Sequence, residues 1–170
     1  KRLLLIIELS RRIFSMWSNE RREGGIPLGF LSHKDKEEII QAIITAEKRT
    51  SGEIRVHVEK KGGKDPVLRS EEVFYELGMD NTKERNGVLF YLAAGERKFV
   101  ILGDEGINNQ VPDNFWEEIK RVMTAEFKEG RFASGLSAGI TLAGEALARY
   151  FPYQRGDVNE LPNEISGDQS

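Results

Sequence analysis

The chain has 170 residues, 39% hydrophobic and 31% charged, with a net charge of −3 and an isoelectric point near 5.6. That is the size of one ordinary domain, without a general attraction to nucleic acid. The absence of cysteine excludes disulfides, thiolate metal sites and a cysteine nucleophile. With no run of about 18 uncharged apolar residues, no bilayer span is expected.

Residues 1–18 place Ile6, Leu9, Ile13 and Trp17 at helical spacing opposite Glu8, Arg12 and Ser15, which predicts an amphipathic helix. Residues 1–23 carry six Lys/Arg against three Glu. A basic segment of this kind can contact a membrane peripherally or dock on a partner. Punctuation by "NERREGG" and Pro27 makes residues 1–31 this helix plus a linker. Residues 32–151 then form the domain, and 152–170 an irregular acidic tail with Asp157, Glu160, Glu164 and Asp168.

Ser32 and Asp35 have the spacing of a capping box, and Ile39, Ile40, Ile43 and Ile44 give the helix that follows one apolar face. Gly52 is suited to ending it in the left-handed region. "EIRVHVE" alternates as a strand, with Ile54, Val56 and Val58 opposite Arg55, His57 and Glu59. After the "KKGGK" loop, Asp65 can cap and Pro66 can open a second helix, which Gly78 ends. "GVLFYLA" is apolar on both faces and so should be a central strand covered twice. "AAGER" then turns the chain back into "KFVILG". Phe115, Ile119, Val122 and Phe127 line a further helix, and Phe132, Leu136, Ile140, Ala143 and Leu147 line the last. Gly135, Gly139 and Gly144 in the last helix predict close helix packing.

The first two strands and the helix between them form a parallel βαβ unit, and the hairpin returns the third strand antiparallel. Its C-terminal end, running into "GDEGI", therefore lies beside the starts of the other two. Strand direction alone thus gathers Glu53, Asn86, Asp104 and Glu105 at one rim, with Asp113 delivered by the loop that follows. Carboxylate and amide oxygens on loops suit a hard cation such as Ca²⁺. The alternative is that Asp113 caps its helix and Asp104 and Glu105 merely turn the chain. Neither His33, in a first helical turn, nor His57, on a strand, has an evident nucleophile to activate.

"TSGEIRVHVE", "ERNGVLFYLAAGERKFVILGDEGI", "VPDNFW" and "FKEGRFASGLSAGI" resemble, in order and spacing, the successive motifs of the TPM domain family. The resemblance covers about residues 33–151. It implies a three-layer α/β/α sandwich with a small mixed sheet and helices on both faces. It further implies divalent-cation binding, Ca²⁺ before Mg²⁺, and a weak acid phosphatase activity. The family's motif positions fall on Ser51-Gly52-Glu53, Asn86-Gly87-Val88, Gly103 to Ile107 and Asp113. The expectation is therefore a cation-binding module, cytoplasmic and acting on an unidentified protein partner. Metal-assisted phosphomonoester hydrolysis is the alternative.

Overall fold

Because both of its faces are apolar, Gly87–Ala93 is buried along its whole length, and the other elements pack around it. A computed structural model describes residues 2–9, 11, 22–23, 26–27, 31–157, 159 and 161–167. In chain order these form β1 (Leu3–Glu8), β2 (Arg22–Glu23), β3 (Ile26–Pro27), α1 (His33–Glu47), β4 (Glu53–Glu59), α2 (Pro66–Glu76), a 3₁₀ turn (Met79–Asn81) and β5 (Gly87–Ala93). There follow β6 (Lys98–Gly103), the single turn α3 (Glu105–Asn108), α4 (Phe115–Lys128), α5 (Phe132–Tyr150) and β7 (Ser166–Gly167). The main sheet has the order β1-β6-β5-β4-β7; β4 pairs parallel with β5 and β7, and β6 pairs antiparallel with β5 and β1. β2 and β3 pair only with each other.

The two faces of the sheet build two cores, as the alternation requires. Ile54, Val56, Val58, Val88, Phe90 and Leu92 pack on α1, α4 and α5. Leu89, Tyr91, Val100 and Leu102 pack on Val73, Phe74 and Met79 of α2 and the 3₁₀ turn. The molecule is thus an α/β/α sandwich. Among the described residues no helix is long and apolar enough to cross a membrane.

Local rules account for most element ends. The Ser32–Asp35 capping box opens α1, Asp65 accepts from the amides of Val67 and Leu68 to open α2, and Gly78 ends that helix region at φ +71°. The glycines of α5 are contact points: a Cβ on Gly135 would stand 2.7 Å from Phe127, one on Gly144 2.5 Å from Ala46, and one on Gly139 would meet Met123.

Four expectations need correction. Leu3–Glu8 is a strand, not part of a helix: Leu5, Ile7 and Leu9 are buried at alternate positions, and the open edge of β6 supplies backbone partners that local spacing does not reveal. There is accordingly no helix over residues 3–8 to lie on a membrane, and residues 12–18 fall outside the described ones. The acidic tail is not wholly irregular, since Ile165 is buried and Ser166 and Gly167 pair with His57 and Val58. Gly52 does not end α1 in the left-handed region, for the cap is Lys48. Gly52 is small for a packing reason, as a Cβ there would stand 2.7 Å from Leu147. On α4 the buried stripe contains Trp116 and Met123 where Phe115 and Val122 were expected. Both pairs fit a helical period; Gly103 at the end of β6 gives room to Trp116, and Gly139 of α5 to Met123.

Candidate cation site at the sheet rim

The strand directions do bring the starts of β4 and β5 and the end of β6 to one rim. Glu53 N donates to Asn86 O at 3.4 Å, Asp104 N to Gly87 O at 2.9 Å and Gly106 N to Arg85 O at 2.7 Å. Glu53, Asn86 and Asp104 are all essentially inaccessible to solvent. Glu105 opens α3, and Asp113 is exposed in the turn before α4. Among the described residues no hydrogen bond or ion pair joins Asp113 to the other four. The N-cap of α4 is Asn114, so Asp113 does not hold the capping position either.

The rim divides into two parts. On one side Asp104 is surrounded by positive charge. Its Oδ1 accepts from Arg2 Nε at 3.0 Å, Arg85 Nη2 at 3.2 Å and its neighbour's amide, Glu105 N, at 2.8 Å. Its Oδ2 accepts from Arg85 Nε at 2.9 Å. Arg2 reaches there from the foot of β1, its guanidinium also lying 4.8 Å from the Phe74 ring centroid and 4.6 Å from that of Tyr75. Arg85, at φ +52°, also pairs with Glu105 at 3.4 Å. The aspartate that sequence reasoning placed in a cation site does hold cations, and they are two guanidinium groups.

On the other side two carboxyl groups meet. Glu47, at the end of α1, continues the stripe of Ile40, Ile43 and Ile44 and turns its carboxyl to the start of β4. There its Oε1 accepts from Ile54 N at 2.7 Å. Burial first, and then the neighbouring Glu53 to which it is hydrogen-bonded, push the Glu47 carboxyl up to about 8, against the opposing pull of the Ile54 amide. A hydrogen bond between two carboxyl groups needs a proton, so one of the pair keeps it. Among the described residues, Arg55 lies near Glu47, Glu53 and Glu164 together, while burial disfavours its own charge.

Beside this pair Asn86 donates from Nδ2 to Ser51 Oγ at 3.3 Å, leaving its buried Oδ1 without a hydrogen-bond partner, as is Glu47 Oε2. Two cavities flank these groups. One, of about 200 Å³, is lined by Glu47, Ser51, Glu53 and Asp157 among others. The second, of about 290 Å³, is lined by Ser51, Asn86, Gln154 and Asp157 among others. Among the described residues no three His, Asp or Glu side chains converge closely enough to hold a metal by themselves. A hard cation here would therefore need the amide oxygen, backbone carbonyls and water beside the carboxyl groups, a mixed oxygen set that Ca²⁺ accepts.

Sequence reasoning did not find Glu47 or the tail residues. Glu47 carried a signal, since a carboxyl group three and four residues after Ile44 and Ile43 extends an apolar stripe and must be buried with them. Asp157 carried none, because its place depends on how the tail folds back.

A second buried polar network lies toward the far end of β4. Glu59 accepts from Arg69 Nη2 at 2.7 Å and Tyr91 OH at 2.7 Å, and its Oε1 lies 3.1 Å from His57 Nε2. His57 Nδ1 lies 2.7 Å from Ser166 Oγ. Burial alone would raise the Glu59 carboxyl, but these hydrogen bonds outweigh it and hold the group near 2. The Ser166–His57 contact ties β7 to β4 some four residues from the rim, about 13 Å along the strand.

A sequence model of the TPM domain matches residues 27–146. Among solved structures the chain is similar to the NMR structure of the BA42 protein from the psychrophilic bacterium Bizionia argentinensis. The two are 49% identical with a TM-score of 0.76, over 83% of this chain and 97% of that one. No curated protein matches the chain. The matched span contains α1, the complete βαβ unit, the hairpin and both halves of the rim, so the chain belongs to the TPM domain family.

Proposed function

We propose that the protein is a divalent-cation-binding module, with Ca²⁺ preferred over Mg²⁺, whose ion sits at the start of β4 against Glu53 and Asn86. The observation that supports this most directly is the buried Asn86 Oδ1, which has no hydrogen-bond partner and belongs to the residue whose carbonyl accepts from Glu53 N, next to the raised carboxyl of Glu47. An ion there would relieve both costs at once. Asp104 takes a different part in this reading: with Arg2 and Arg85 already on its oxygens, it fixes the wall of the site, while Glu105 and Asp113 remain near the surface.

The use of the loaded rim is partner binding in this reading, not turnover. Phosphomonoester hydrolysis would require a group to orient the phosphate, and Arg85, the nearest guanidinium on the Asp104 side, is engaged by Asp104 and Glu105. Calorimetric titration with Ca²⁺ and with Mg²⁺, on wild type and on Glu53→Gln, tests the site. Ca²⁺ binding that the substitution removes, with the thermal transition intact, is the expected result. Absence of heat and of any thermal shift with either ion would overturn it. Hydrolysis of p-nitrophenyl phosphate that requires both Ca²⁺ and Glu53 would favour the enzymatic alternative.

A further inference from the structure

The far half of β4 holds a polar network that takes no part in the proposed cation site. Arg55, His57 and Glu59 alternate onto one face of the strand, and β7 lies along its edge, with Ser166 opposite His57 and Gly167 opposite Val58. Ile165 is buried in the core just before β7. Gly167, at φ +93°, lets the two strands close up: a Cβ there would run into Val58 O and stand 3.2 Å from His57 Nε2. The groups around the imidazole come from four elements. Glu59 of β4 lies 3.1 Å from Nε2, Ser166 of β7 lies 2.7 Å from Nδ1, and the Tyr91 ring of β5 stacks on it at 5.9 Å between centroids. Arg69 of α2 reaches the network through Glu59. Two residues earlier on the same face, Arg55 has Glu164 nearby.

Three hydrogen bonds meet here: Glu59 Oε1 to His57 Nε2, His57 Nδ1 to Ser166 Oγ, and Ser166 Oγ to Val56 O at 3.3 Å. The two outer groups can only accept. Val56 O is a carbonyl, and Glu59 is held ionised by Arg69 and by the Tyr91 hydroxyl. The protons must therefore come from the imidazole and the serine hydroxyl. A neutral imidazole and a hydroxyl bring one proton each, which is two for three bonds. With the ring proton on Nε2, the hydroxyl must choose between Nδ1 and Val56 O. With it on Nδ1, a bare Nε2 faces a carboxylate. The imidazolium alone fills all three bonds. We infer that β7 is a proton-dependent clasp: charged His57 closes it on β4, and loss of that proton loosens it and uncovers the β4 backbone at His57 and Val58. The closed state binds the proton more tightly than the open one, so closure is firmest at low pH and weakens as pH rises. Histidine is the side chain suited to this, since its charge ordinarily changes between about pH 5 and 8.

The test is backbone hydrogen exchange of the full chain in chelator, corrected for intrinsic rates, at about pH 5.5 and about pH 8. The readout is protection in β7 and at His57 and Val58, while the buried amides of β5 report whether the fold is intact. In wild type the β7 ladder should be about 10-fold better protected at the lower pH. In His57→Gln, which keeps a polar group but cannot gain a proton, the two pH values should give equal protection. Glu47, raised to about 8, also changes charge in this interval. It is intact in the variant, so a pH dependence that disappears there belongs to His57. Ser166→Ala removes the hydroxyl and leaves the ring, and its protection should be low and level at both pH values. The ring nitrogen shifts of wild-type His57 should show both nitrogens protonated at the lower pH. Equal wild-type protection at the two pH values would overturn the clasp, as would a pH dependence that survives in His57→Gln. Should that variant fail to fold, a pH dependence surviving unchanged in Ser166→Ala would overturn it equally.

Discussion

Asp104 and Glu53 stand at the ends of strands two places apart in the same sheet, both buried, yet the molecule deals with them in opposite ways. Asp104 receives two guanidinium groups and a backbone amide and is a finished ion pair. Glu53 receives a second carboxyl group, that of Glu47, and shares one arginine with Glu47 and Glu164. A buried acid needs its charge matched or its proton kept. The first solution gives a rigid wall. The second retains a proton. Proximity of acids at a rim is therefore a poor guide to a metal site until the arginines have been assigned.

The largest expected effect on this comparison comes from Gly106. A Cβ there would run into the carbonyl oxygens of Glu84 and Arg85, which form the backbone frame around Asp104. Gly106→Ala should cost about 3 kcal/mol or more by urea unfolding, since backbone cannot yield as a side chain does. Next is Asp104→Ala, which removes the cap of α3 and leaves Arg2 and Arg85 without their carboxylate. A loss of about 2–3 kcal/mol is expected. Because Asp104 is a wall in this account, calorimetry should find Ca²⁺ binding retained in the folded fraction; complete loss would make Asp104 a ligand and dissolve the contrast.

Glu59 repeats the Asp104 arrangement with Arg69 and Tyr91, and it supplies a pH test. Its folded value lies below the usual carboxylate value of 4.5, near 2, so its stabilisation is present above about pH 4.5 and lost as pH falls toward 2. Glu59→Gln should therefore cost about 1–2 kcal/mol at pH 7, and the gap to wild type should close in melts near pH 2. The smallest effect is expected at Glu47 and has the opposite sign. Its folded value is raised from 4.5 to about 8, so the stabilisation tied to the protonated form is present below pH 4.5 and is lost as pH rises to 8. Glu47→Gln keeps an acceptor for Ile54 N and needs no proton. It should be near neutral at pH 4 and more stable than wild type by about 1 kcal/mol at pH 8 in the absence of divalent ions.

Much of the fold was legible because it rests on local rules. The capping box at Ser32, the cap at Asp65, the doubly apolar "GVLFYLA" and the hairpin at Gly95 each announce themselves within a few residues. The rim followed from strand direction alone. What could not be read depends on distant segments. Arg2 and Asp104 are 102 positions apart, and nothing near either one announces the pair. Likewise Leu3–Glu8 has apolar residues at both helical and alternate spacing, and only the vacant side of β6 chooses between them. The two-residue β7 is too short to leave any periodic pattern.

β1 and β7 close the two sides of the main sheet, and both come from outside the segment that the family description matches. A version trimmed to residues 27–146 would keep the rim acids but lose Arg2 from Asp104, and would uncover the backbone of β6 along Lys98–Gly103 and that of β4 at His57–Val58. Uncovered strand backbone is a template for another copy. The segments that look dispensable in a family alignment are what should keep this molecule from stacking on itself. The shortest piece carrying the shared motifs is thus the one most prone to oligomerise and aggregate.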